Sequence, residues 1–160
     1  MKDIFIDADI ANTFADSKDC HIKDLIEWLL NCKSAFLVLT NGLRSEYYGG
    51  NEHCCKEFSI RTIVDKLIKD ERINTISNEN IRKFQVEFFN WSSISSKRKG
   101  SKDPEHIAAV LLSDRRFAIV KDDKLFNDLL NFRPKKKLKG KSITVVNCPS
   151  KIDYKENEAA

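Results

Sequence analysis

The chain has 160 residues, with 28 Lys and Arg against 24 Asp and Glu for a formal net charge of +4, and it is 41% hydrophobic and 32% charged. That length supports one compact domain with a proper core and is too short for two ordinary ones. The composition is that of a soluble globular protein, and no apolar run approaches the ~20 residues needed to cross a bilayer. The five cysteines, Cys20, Cys32, Cys54, Cys55 and Cys148, are odd in number and contain no CxxC pair. This argues against a disulfide framework and against a zinc knuckle, since His53-Cys54-Cys55 has no second ligand pair to complete a tetrahedron. No basic stretch followed by an apolar segment precedes Ile4, so a reduced, cytoplasmic setting is expected.

The first element in chain order is a short buried strand, Ile4-Phe5-Ile6, ending at Asp7. Ile22, Leu25, Ile26, Leu29 and Leu30 recur at helical spacing, and Ala35 to Leu39 is a continuous apolar run expected to be a strand covered on both faces. A helix carrying Glu46 follows and is broken at Gly49-Gly50. Ile60, Ile63, Val64, Leu67 and Ile68 form the next amphipathic helix, residues 72–76 a short third strand, and Ile81, Phe84 and Phe88 one face of another helix. Residues 92–101 have no periodicity and are expected to form an exposed loop. Asp103-Pro104-Glu105 opens a helix through Ile107, Val110 and Leu111, with Asp103 as its cap and Pro104 at its first position. Phe117 to Val120 is a fourth strand, Leu125 to Phe132 a helix that Asp123 is placed to cap, and Ile143 to Val146 a fifth strand. Strands alternating with helices predict an α/β fold, a three-layer α/β/α sandwich around a mostly parallel five-stranded sheet. A single domain over 1–150 and a frayed tail over 151–160 complete the organisation.

Charge is unevenly spread. Lys97, Arg98, Lys99 and Lys102 fall in one stretch, and Arg133, Lys135, Lys136, Lys137, Lys139 and Lys141 in another, neither containing an acid. With ten cations placed there, the rest of the chain is net acidic. Such runs are commonly solvated surface, but a phosphate-backbone partner would account for cations gathered in loops.

The acids suggest the chemistry. Taken singly, Asp7, Asp103 and Asp123 can be turn or helix caps and Glu46 an ordinary surface residue. Jointly they fall at strand ends and helix starts along what should be one edge of one sheet. In parallel sheets ligands bind beyond the carboxyl ends of the strands, where strand order reverses. If the first and fourth strands are neighbours, Asp7 meets Asp122-Asp123. Clustered carboxylates repel unless a cation neutralises them, and hard divalent cations take such oxygen ligands.

Five segments in order resemble the PIN-domain nucleases: Ile4 to Ile10 with its strand-ending Asp7, Leu37 to Thr40 with Glu46-Tyr47-Tyr48, Asp103-Pro104-Glu105-His106-Ile107-Ala108-Ala109, Ile119 to Phe126, and Val145-Val146-Asn147-Cys148-Pro149. The resemblance implies a PIN-like fold and a metal-dependent endoribonuclease that uses Mg²⁺ or Mn²⁺ to hydrolyse single-stranded RNA. In that reading Asp7, Glu46, Asp103 and Asp123 are the catalytic metal ligands. Asp123 is favoured over Asp122 by its place before Lys124-Leu125-Phe126. Arg44, Lys97, Arg98, Lys99, Lys102 and Lys121 would hold the phosphate backbone. His106, one helical turn after Asp103, could face the site, but such a histidine more often packs or caps, and it is left out of the catalytic set. The chain departs from the family at Lys121, where Thr, Ser or Asn is usual. The family also implies a homodimer and, for a toxin of a toxin–antitoxin pair, a small antitoxin partner.

Two other readings use the same residues. In a phosphatase of the haloacid dehalogenase type, Asp7-Ala8-Asp9 supplies the nucleophile and acid/base pair, with Thr40, Lys102 and Asp122-Asp123 in its later motifs; Glu46 and the Asp103 helix then have no role. In a catalytically degenerate PIN domain, the surface binds RNA or protein without cutting.

Overall fold

The computed structural model describes residues 1–49, 56–95, 100–151 and 153–156. Its centre is one sheet of five strands, β1 (Lys2–Ile6), β2 (Ala35–Leu39), β3 (Ile73–Thr75), β4 (Phe117–Ile119) and β5 (Thr144–Val146), in the order β3-β2-β1-β4-β5. Every pairing is parallel: Ile4 lies against Leu37, Leu37 against Ile73, Ile6 against Ile119 and Ile119 against Val146. The apolar character of β1 and β2 follows from that central position. Ile4, Phe5, Ile6, Leu37 and Val38 have no solvent exposure because helices cover both faces.

Seven α-helices are present among the described residues: α1 (Ala8–Ala11), α2 (Cys20–Asn31), α3 (Asn41–Gly49), α4 (Ile60–Lys69), α5 (Asn78–Phe88), α6 (Asp103–Leu112) and α7 (Asp123–Leu130). α2 and α4 pack together over β2 and β3, while α5, α6 and α7 pack in succession on the opposite face. The three-layer α/β/α sandwich expected from the alternation is thus observed, with a fully parallel sheet. Serine caps start α4 and α5, where Ser59 and Ser77 accept the amides of Thr62 and Asn80. At the carboxyl end of α2, the buried Arg72 guanidinium donates to the carbonyls of Leu29 and Leu30, which the helix end would leave unpaired, and to those of Cys32 and Ala35 in the turn that leads into β2.

Several local expectations shift. α1, a single turn after Asp7, and a 3₁₀ turn at Phe14–Asp16 carry too few residues for a helical period to be seen. In the stretch expected to be an exposed loop, Trp91–Ser93 form a 3₁₀ turn and Ile94 is 2% exposed. Within the stretch expected to fray, Tyr154 is buried, packs edge-on against Trp28 at 5.0 Å and offers its carbonyl to Arg115 Nη1 at 2.9 Å. Lys97, Arg98, Lys99, His53, Cys54 and Cys55 lie outside the described residues.

Candidate metal centre

The chain runs outward from β1 through β2 to β3, then crosses back to β4 and β5 on the other side. Strand order therefore reverses between β1 and β4, the place where parallel α/β sheets leave a crevice beyond their carboxyl ends. Asp7 is the first residue past β1, and Lys121-Asp122-Asp123 follow β4 and Val120. The two segments are tied together. The Asp7 amide donates to the Ile119 carbonyl at 2.9 Å, and Asp7 Oδ2 accepts the Asp122 amide at 3.3 Å.

Asp7 is 5% exposed. Burial raises its pKa above the ordinary aspartate value, the Asp122 amide partly opposes this, and the nearby charge of Asp9 raises it further. Asp9 sits exposed in the single turn of α1. Behind Asp7, Tyr47 is fully buried and its hydroxyl donates to the Ile6 carbonyl at the end of β1. Its phenol pKa is pushed well up, first by burial and then by the charges of Asp7 and Glu46.

Glu46 comes from the same helix, one residue before Tyr47, and so is delivered to the carboxyl edge by that anchor. Its Oε1 lies 2.8 Å from His106 Nε2, and the Glu46 side chain keeps 28% of its surface exposed. His106 is on α6, 1% exposed, with its ring 5.4 Å from that of Phe5. Its Nδ1 is buried without a hydrogen-bond partner among the described residues, an arrangement that costs about 1–3 kcal/mol for a neutral polar group. Of the two roles open to this histidine in the sequence, facing the site or packing, the structure shows it bonded to Glu46, a partner the sequence does not indicate because α3 and α6 are brought together only by the fold.

Asp103 is the first residue of α6 with Lys102 at the cap position, so the helix begins one residue earlier than its Asp-Pro signature suggests. The Asp103 amide donates to Ser101 Oγ at 3.3 Å. Lys102 Nζ reaches the Gly42 carbonyl at 3.5 Å, which places the start of α6 beside the carboxyl end of β2. Glu105 lies there too: a Cβ on Gly42 would stand 2.8 Å from its Oε2. At α7 the capping role belongs to Asp122, whose Oδ1 accepts the Leu125 amide at 2.9 Å, and not to Asp123. Asp123 is the first helical residue and is exposed.

The four sequence-predicted acids thus lie along one edge without closing into a cage. Among the described residues, the one group of three metal-type side chains whose ligand atoms all lie within 4.8 Å of one another is Asp19, Cys20 and His21. These are exposed consecutive residues where Asp19 caps α2 through the His21 amide, which accounts for their closeness without a ligand. At the β1/β4 edge, a hard divalent cation fits the donors: they are carboxylate oxygens, and a cation would offset the burial that holds Asp7 toward its neutral form.

No family model, curated protein or solved structure matches this chain.

The cations divide between two ends of the molecule. Lys102 and exposed Lys121 are at the carboxyl edge, and exposed Arg44, in the first turn of α3, stacks its guanidinium 5.2 Å from the Tyr48 ring. The second basic stretch, 133–141, runs into β5 at the opposite edge. There Arg116, just ahead of β4, donates from Nη1 to the Lys141 carbonyl at 2.6 Å and from Nη2 to the Lys139 carbonyl at 3.1 Å.

Proposed function

We propose that the chain is a Mg²⁺- or Mn²⁺-dependent endoribonuclease of the PIN type acting on single-stranded RNA. The observation that carries the reading is the buried carboxyl of Asp7 at the reversal of strand order, joined to the Asp122-Asp123 turn through the Asp122 amide. Asp7, Glu46, Asp103 and Asp123 would hold the cation. Asp122 supports them from behind, since its amide is given to Asp7 and its Oδ1 to the Leu125 amide. A bound divalent cation supplies a lowered pKa for attacking water and an offset to charge on the scissile phosphate.

The chain's own residues do the rest. Tyr47 holds the end of β1 and with it the backbone of Asp7. Lys102, Lys121 and Arg44 present cations at or near the acid edge and would lie along the phosphate backbone, with Lys97, Arg98 and Lys99 from the adjoining segment. A toxin role with an antitoxin partner, and a homodimer, belong to the same proposal. The phosphatase reading shares Asp7 and adds Asp9 but leaves the Glu46–His106 pair idle.

The test is cleavage of end-labelled single-stranded RNA with Mn²⁺, with and without chelator, beside hydrolysis of an aryl phosphate. RNA cleavage that stops on chelation is expected. Aryl-phosphate turnover with intact RNA would instead identify a phosphatase, and inactivity on both a binding protein.

A further inference from the structure

We infer that His106 is a positioning residue for Glu46, holding its carboxylate in the orientation from which it binds a divalent cation. This rests on reading the β1/β4 edge as a divalent-cation centre. An ionised carboxylate only accepts hydrogen bonds, so the proton in the 2.8 Å contact between Nε2 and Glu46 Oε1 is carried by the imidazole on Nε2. The other ring nitrogen, Nδ1, is buried and has no hydrogen-bond partner among the described residues.

The pattern separates this role from two ordinary ones. A side chain present only to fill space beside Phe5 could be Leu or Phe, which leave no unpaired polar atom in the core. A histidine placed for its own hydrogen bonding would satisfy both nitrogens. Among the described residues His106 satisfies one, and it does so on an acid of the site. Glu46, in contrast, is a long side chain that still meets solvent. Untethered, it would spread over several rotamers, and fixing it would oppose cation binding. The bond spans 60 residues of sequence and joins α3 to α6, so it sets the carboxylate against the part of the fold that also carries Asp103. Partners of metal-ligating side chains at this remove typically change metal affinity or activity by about 10–100-fold.

The experiment is calorimetric titration of the full chain with Mn²⁺, comparing wild type, His106→Phe and His106→Gln, with folding checked by circular dichroism. Phe keeps the ring and removes the donor. Gln places an amide donor close to where Nε2 stands. His106→Phe is expected to weaken Mn²⁺ binding by about 10–100-fold, with His106→Gln restoring most of it. If the Phe variant does not fold, His106→Asn, whose amide is too short to reach Glu46, replaces it with the same expected loss. Equal Mn²⁺ affinity in wild type and the donor-less variant overturns the inference alone. A folded Gln variant as weak as the donor-less one overturns it as well. Wild type that takes up no Mn²⁺ overturns the reading of the site and this inference with it.

Discussion

Asp7 is an acid that folding by itself disfavours. Burial pushes its carboxyl pKa up, the Asp122 and Lys121 amides pull it back only in part, and Asp9 adds repulsion. Between the ordinary aspartate value of 3.8 and the raised folded value, the native chain holds a proton that the unfolded chain has lost. Stability from this group therefore falls as pH rises through that window and stays lower above it. Asp7→Asn removes the liability while keeping an oxygen that can accept the Asp122 amide. In chelator at neutral pH, Asp7→Asn should melt at a higher temperature than wild type, and the difference should shrink as pH is lowered toward 4. A wild type that melts higher than the variant in chelator would contradict this account of the site. The residue was legible as a strand-ending acid; its strain was not, because burial depends on strands and helices far away in sequence.

Element placement depends on anchors of the same kind. α3 brings Glu46 to the carboxyl edge because Tyr47 plugs into the end of β1 through the Ile6 carbonyl. Tyr47→Phe leaves that carbonyl without its donor, and urea denaturation should show a loss of about 1–3 kcal/mol, the usual cost of a buried unpaired polar group. RNA cleavage should fall as well, since Glu46 rides on the same turn. Unchanged stability would mean the hydroxyl is not needed there. Glu46-Tyr47 was recognisable in the sequence as a pair, but only the fold shows that the tyrosine secures the glutamate. At α7 the reverse happened. Asp122 and Asp123 are adjacent and chemically alike, so sequence placed the cap one residue late, and the 2.9 Å bond from the Leu125 amide assigns it to Asp122.

At the scale of the whole molecule, alternating apolar runs and amphipathic helices were enough to predict the sandwich, because a doubly covered parallel sheet demands unbroken hydrophobic strands. Strand order carries no such local signature. It is the order β3-β2-β1-β4-β5 that makes β1 and β4 neighbours and brings Asp7 to the Asp122-Asp123 turn. The same topology puts Lys102 beside the acids and residues 133–141 at the far edge. The His106–Glu46 bond was equally beyond local reading, since its partners are distant along the chain. The measurement that bears most directly on the acid edge is single-turnover cleavage of single-stranded RNA in Mn²⁺ by wild type and Asp7→Asn. Loss of a cation ligand removes several kcal/mol of charge stabilisation, each 1.36 kcal/mol being tenfold, so the variant should be slower by at least about a hundredfold. A folded Asp7→Asn protein that cuts RNA as fast as wild type would contradict the assignment.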